Sequence, residues 1–489
     1  MPSTPQIDAP LRERAEPELV SSSPIDTRRV VGRFVIDPRA VDLSLSRSRS
    51  AQPAWEATPL ADRLALLGRL KQEISARREA LSALLTEEIG KPRWEARAEV
   101  DACISKVDIT LSEGLALVRD VHLASLGASY THRALGVLAI IGPYNFPLHL
   151  VHGHVVAALM TGNTVVVKPS ELAPAVSQAY AECVAAAGFP PHVFQLIQGD
   201  GQIGARLAAH SDVNGVLFTG SYGVGRSIEQ AAELHPGKLV ALEMGGKNPA
   251  IVCEDANLEK AAYDVAWGAY VTAGQRCSGT ALCLVSWELR ERFVDAVLTF
   301  ARAMTVGDPT RDDVFMGPVV SKQARRRASL TLQRARAEGA RLIWEGTLTD
   351  APAHGAFMAP TLHDVDRLPA HAEYFQDELF APDLGIRCVR SVEEAVAFAN
   401  ALPYGLSVSV HTQSEARFAE ARARLKFGNI NWNAPTCGAS SRLPFGGLRK
   451  SGNYRPAGLF SPLYCTYPAS TLVGASTLDR AQLSPGIRL

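Results

Sequence analysis

Between residues 136 and 245, short apolar runs alternate with longer segments in which apolar residues recur at helical spacing. The short runs are GVLAIIG (136–142), TVVVKPS (164–170), VFQLIQG (193–199), GVLFTGS (215–221) and KLVALEMG (238–245). Between them, GHVVAALMTGN, AVSQAYAECVAAAGFP, GQIGARLAAH and YGVGRSIEQAAELH read as helices. Strands that are apolar throughout, rather than alternating, are buried on both faces, and their repetition with helices predicts a parallel sheet covered on both sides. A second series follows: AIVCE, ALCLVSW and, after a helical, charged middle, LGIRCVR, LSVSVHT and GNINWN. Upstream, residues 59–92 carry helical spacing up to the stop signal Gly90-Lys91-Pro92, and WEARAEVDACISKVDITLSEGLALV predicts another helix. Residues 1–28, rich in Pro, Ser and charge, read as a loose tail. The pattern therefore predicts two α/β domains without an internal repeat.

Composition narrows the function classes. With 489 residues the chain is long enough for two or three domains, and 47% hydrophobic with 20% charged residues is a globular balance. Lys plus Arg (50) equals Asp plus Glu (50), so no net field recruits nucleic acid or a membrane surface. The eight cysteines contain no CxxC pair, which argues against zinc or disulfide frameworks and fits a reducing cytoplasm. The amino terminus has no apolar h-region, and no run of 18 apolar residues occurs.

Ligands of parallel sheets collect at the carboxyl ends of the strands, where KPSE, TGS and EMGG fall. FTGSYGVG (218–225) runs from a strand through a turn into a helix whose amino end suits a pyrophosphate, although its glycines are not spaced as GxGxxG. ALEMGGKNP (241–249) ends a strand with Glu243 before two glycines that would let a substrate or nicotinamide approach the backbone. IIGPYNFP (140–147) holds Asn145 in a turn, where its amide could donate to an oxyanion. YVTAGQRCSG (270–279) places Cys277 among small residues, an open setting for a nucleophile. His149, His152 and His154 of HLVHGH lack the glutamate of HExxH, so no metal is expected. No His–Asn pattern nearby marks Cys277 as a thiol hydrolase nucleophile.

Together the runs GPYNFP, GNTVVVKPSELAP, FTGSYGVG, LEMGGKNP, GQRCS, DELFAP and PFGGLRKSG resemble the NAD(P)-dependent aldehyde dehydrogenase superfamily, in its order, with Cys277 34 residues after Glu243. The resemblance covers about residues 30–472. It implies an aldehyde dehydrogenase-like α/β fold. A Rossmann-like cofactor domain would take residues 29–116 and 134–245, and a catalytic domain residues 246–456. A bridging oligomerisation arm would take residues 117–133 and 457–489, in a homodimer or homotetramer.

The resemblance also implies that Cys277 is the nucleophile, Glu243 the base for deacylation, and Asn145 an oxyanion donor with the Cys277 N–H. Lys168, Ser170 and Glu171 would lie at the adenosine ribose, Gly220, Ser221 and Gly225 by the pyrophosphate, and Glu378 and Phe380 at the nicotinamide ribose and ring. Glu171 would repel a 2′-phosphate, so NAD is expected over NADP. Ala381 stands where the family usually has glycine, and Tyr144 where many relatives have tryptophan.

Within the superfamily, PYNFPLHLVHGHVVAALMTGNTVVVKPSELAP, AYVTAGQRCS, NWN and PFGGLRKSGNYRP resemble the N-succinylglutamate 5-semialdehyde dehydrogenases of arginine catabolism. Such a dianionic substrate calls for cations at the entrance, and Arg442 and Arg455 are the candidates, since a guanidinium matches a carboxylate. The alternatives are a general or other semialdehyde dehydrogenase, a CoA-acylating relative and a non-enzymatic binding protein of this fold. Glu243 argues against CoA acylation, and the complete set Asn145, Glu243 and Cys277 argues against a silent protein.

Overall fold

The computed structural model describes residues 17–480 and 483–487. Its first sheet is five-stranded and all parallel, in the order Phe194–Leu196, Thr164–Lys168, Val137–Ile141, Gly215–Gly220, Leu239–Met244. Every side chain of Val137–Ile141 and Thr164–Lys168 is buried, as their uniform apolarity demands. The chain winds outward on one side of Val137–Ile141 and then returns to its other side. The strand order therefore reverses there, and a crevice opens beyond the strand ends.

The second sheet has seven strands, in the order Arg341–Glu345, Thr361–Asp364, Asp383–Val389, Thr280–Ser286, Asn248–Val252, Ser407–His411, Asn429–Trp432. Only the edge strand Arg341–Glu345 is antiparallel to its neighbour. Leu239–Met244 closes the first sheet and Asn248–Val252 lies inside the second, so the three residues Gly245, Gly246 and Lys247 are the whole connection between them. A third, antiparallel sheet joins Thr466–Leu472, Ala128–Ala134 and Val121–Leu123.

Three elements differ from the sequence reading. Residues 1–16 of the expected tail lie outside the described residues, but residues 17–28 are not loose. Glu18–Ser22 pairs antiparallel with Val30–Val35, Ser21 donates to Glu88 (2.6 Å), and Ser23, fully buried, donates to the Glu87 carbonyl (2.7 Å). Its polar composition reads as disorder only because the acceptors lie more than sixty residues away. The single helical stretch at 59–92 is two helices, Leu60–Ala76 and Arg78–Ile89, broken at Arg77. A further helix, Ala40–Ala57, buries Val41 and Leu45 against the first sheet and keeps Pro53 inside it, a residue that argues locally against a helix.

Candidate active site

The cysteine loop begins where helix Leu258–Tyr270 stops. Thr272 (φ 57°), Ala273 (φ 52°) and Gly274 (φ 69°) take left-handed backbone in succession, which turns the chain sharply toward the crevice. A β-carbon on Gly274 would stand 2.2 Å from the Ala381 carbonyl oxygen, so the small residues here serve the tight turn itself as well as any approaching ligand. Asn248 holds the far side of the loop. Its amide donates to the carbonyls of Cys277 (2.7 Å) and Gly279 (3.0 Å), and its oxygen accepts from the Ser407 N–H (3.0 Å). Glu95 accepts from Thr272 (2.6 Å) and Arg276 (2.7 Å), tying the loop to helix Arg93–Ile109.

Cys277 is half-buried in the wall of a cavity of about 1350 Å³ that Asn145 and Glu243 also line. Asn145 is buried and spends one amide N–H on the Gln275 carbonyl (2.8 Å), which leaves its second N–H free to donate. Glu243 Oε1 accepts from the Ala457 N–H (3.2 Å), whereas Oε2 is buried without a partner. Burial therefore raises the Glu243 pKa well above the usual carboxylate range. Burial also pushes the Cys277 thiol up to about 12, and the nearby Glu378 and Glu243 carboxyls push in the same direction. A thiol that keeps its proton has to lose it to a base before its sulfur can act as a nucleophile.

The glycines of EMGG make room for the protein before any ligand. A β-carbon on Gly245 would sit 2.1 Å from Glu378 Oε2, and one on Gly246 would sit 2.4 Å from the Cys277 carbonyl oxygen. Glu378 Oε1 accepts from the Gly246 N–H (2.9 Å), and burial raises its pKa to about 7. Phe380 takes φ 54° and meets Tyr144 edge-on at 6.0 Å between ring centroids. The methyl group of Ala381 is buried in the core of the second sheet rather than projecting into the crevice.

Whether a dinucleotide fits is answered by the other half of the cavity. Helix Tyr222–Ala232 starts with no side chain capping it, and Tyr222, Gly223 and Val224 line the cavity, so its first amides face the space where an anion would sit. Gly220, Ser221, Lys168, Ser170 and Glu171 line the same half, with Lys168 Nζ 3.4 Å from Glu171. The residues present fit a dinucleotide. Gly225 does not line the cavity; it lies against Met244 and Phe218, where a β-carbon would stand 2.5 Å from the Met244 sulfur.

The two entrance arginines are not on the cavity wall. Arg442 is exposed and pairs with Glu113 (2.5 Å), and Arg455 is exposed beside Tyr454. The sequence reading passed over Asn248, Gln275 and Glu95; only Asn248 had a local signal, its place in GGKNP beside the paired glycines. His152 is hydrogen-bonded to the Tyr180 hydroxyl (2.9 Å) and His154 to the Tyr464 hydroxyl (2.8 Å). Among the described residues no group of three or more His, Cys, Asp or Glu is placed to hold a metal.

Comparison with known proteins gives the same picture at whole-chain scale. The aldehyde dehydrogenase family model matches residues 12–466. N-succinylglutamate 5-semialdehyde dehydrogenase 1 of Caulobacter vibrioides is 37% identical over 466 residues, 94% of this chain and 98% of that protein. N-succinylglutamate 5-semialdehyde dehydrogenase of Novosphingobium aromaticivorans is 37% identical over 97% of this chain and 99% of its own length. The crystal structure of an NAD-dependent aldehyde dehydrogenase from Sinorhizobium meliloti superposes with a TM-score of 0.89 at 29% identity, covering 96% of this chain and 93% of that one.

Proposed function

This chain belongs to the aldehyde dehydrogenase family, and from that premise we propose that it oxidises N-succinyl-L-glutamate 5-semialdehyde to N-succinyl-L-glutamate, with NAD preferred over NADP. The observation that carries the chemistry is the meeting of Cys277, Asn145 and Glu243 on one cavity with a dinucleotide cradle. The substrate rests on the named relatives at 34–37% identity.

In this reading the Cys277 proton passes through cavity water to solvent, and the sulfur adds to the aldehyde carbon. The free N–H of Asn145 and the Cys277 backbone N–H donate to the oxyanion that forms. The Lys168–Glu171 segment, the Ser221 helix start and Glu378 would hold NAD, which would supply the hydride acceptor needed to take the adduct to a thioester. Glu243 then removes a proton from water, whose oxygen bonds to the thioester carbon while the Cys277 sulfur leaves, and the acid is released. Glu171, half-exposed beside Lys168, favours ribose hydroxyls over a 2′-phosphate.

The described residues contain no helix long and apolar enough to cross a membrane, and the eight cysteines are free thiols, which supports placement in the cytoplasm. The antiparallel sheet built from Ala128–Ala134 and Thr466–Leu472 exposes Leu126, Leu472 and Val473 and supports assembly into a homodimer or homotetramer.

NADH formation across an aldehyde panel, with and without CoA, tests the reading. The succinylated semialdehyde is expected to exceed hexanal in kcat/KM by roughly tenfold or more without any need for CoA. Cys277→Ala is expected to abolish turnover, and Cys283→Ala, in a core strand, to keep it. Equal efficiency on hexanal would return the protein to a general aldehyde dehydrogenase, and a CoA requirement would make it an acylating one.

A further inference from the structure

Lys106 is a buried ammonium in the wall of the catalytic cavity, and nothing in the mechanism above uses it. It lies on helix Arg93–Ile109, on the face that Glu95, Glu99 and Ala102 also turn to the cavity. Its Nζ donates to the Gly458 carbonyl (2.7 Å), which accounts for one of an ammonium's three donors. Among the described residues no carboxylate lies within ion-pair range of it. The other lysine that lines the cavity differs: Lys168 is paired with Glu171 at 3.4 Å.

Surroundings and position both point to an anionic ligand. The titratable groups on the neighbouring helix are His149, His152 and His154, and a histidine, neutral or protonated, carries no negative charge to pair with Lys106. His149 Nδ1 is itself buried without a partner, and His149 lines the same cavity. Gly153 presents only hydrogen toward the lysine stem, 3.6 Å from where a β-carbon would be. Gly458, which anchors the ammonium, directly follows Ala457, whose N–H holds Glu243, so the charge and the Glu243 carboxyl are held by neighbouring residues of one segment. Burying an unpaired ammonium is costly and has already drawn its pKa down to about 8; a bound carboxylate would offset that cost.

We propose that Lys106 is the carboxylate receptor of this enzyme: its unpaired ammonium selects aldehydes that carry a carboxylate within reach of Cys277. The proposal rests on the reading above and sharpens it. The selecting cation is a buried lysine on the cavity wall rather than the exposed Arg442 and Arg455.

The test compares glutarate semialdehyde with pentanal, a neutral aldehyde of the same chain length, in the wild type, Lys106→Gln and Lys106→Arg. Gln keeps a donor for the Gly458 carbonyl and removes the charge; Arg keeps the charge. In Lys106→Gln the ratio of kcat/KM for the carboxylated over the neutral aldehyde is expected to fall roughly 10- to 100-fold, mostly through KM. Lys106→Arg should restore part of it. An unchanged ratio in Lys106→Gln, or equal losses on both aldehydes, would overturn the proposal. Calorimetry on the wild type, with NAD present, gives a readout that needs no variant: glutarate should bind at least roughly tenfold tighter than its neutral diamide, and equal binding would overturn the proposal. A wild type that handles N-succinylglutamate semialdehyde no better than glutarate semialdehyde would remove the proposed substrate and leave the role of Lys106 standing.

Discussion

Two protons set the residue-scale behaviour of this site, one on the Cys277 thiol and one on the Glu243 carboxyl. Burial favours the neutral form of both, and the neighbouring carboxyls add to the effect at the thiol, which rises to about 12. The sign follows directly. A group with a raised pKa holds its proton as pH falls below that value, and the reaction proposed for this site needs the thiol and the carboxyl deprotonated. The kcat/KM of the wild type is therefore expected to climb with pH from neutrality into the alkaline range rather than levelling off near the pKa of an exposed carboxylate. Glu243→Gln removes the base proposed for water, so rapid mixing should give a burst of NADH close to one equivalent per site. Steady turnover should follow, roughly 10²–10⁴-fold slower than wild type. A variant with no burst and an unaltered steady rate would assign deacylation to another base.

At the scale of elements, the site is made by two short connections pressed together. The Gly245–Lys247 link carries the chain from one sheet to the other, and the Thr272–Gly279 loop lies against it, with the Cys277 carbonyl oxygen 2.4 Å from where a Gly246 β-carbon would be. That carbonyl is held by Asn248, the first residue of the next strand, so it cannot retreat without losing a hydrogen bond. Gly246→Ala is accordingly expected to displace the nucleophile and lower kcat by on the order of 10²-fold, since catalysis is that sensitive to displacements near 1 Å. Thermal unfolding should drop by only a few degrees, corresponding to about 1–2 kcal/mol. Full activity in the alanine variant would mean that the loop has slack the packing does not show.

At the scale of the whole molecule, the sheet of Val121–Leu123, Ala128–Ala134 and Thr466–Leu472 joins segments more than three hundred residues apart and leaves Leu126, Leu472 and Val473 largely exposed. Apolar side chains on such a sheet suit burial against another copy. Light scattering on the purified protein is expected to give a dimer or tetramer, and Leu472→Asp combined with Val473→Asp to shift it toward monomer. A wild type that remains monomeric at micromolar concentration would leave that sheet without an assembly role.

What the sequence determined by itself was whatever the physics keeps local. Continuous apolar runs such as Val137–Ile141 and Gly215–Gly220 announced buried parallel strands, because both faces of such strands are covered. Their carboxyl ends pointed to the ligand crevice, and the ordered motifs announced the family and singled out Asn145, Glu243 and Cys277, which meet on one cavity. Tertiary structure decided what depends on partners distant in the chain. The ordering of residues 17–28 comes from acceptors at Glu87 and Glu88, and the seating of Cys277 comes from Asn248 and from Glu95, far upstream. It also separated cations that sequence cannot tell apart. Arg442, in a run that looks like an entrance, is drawn to Glu113 at the surface, whereas Lys106, in an ordinary amphipathic helix, is left buried and unpaired. A charge's environment is set by everything packed around it, and the sequence on either side of a residue records little of that packing.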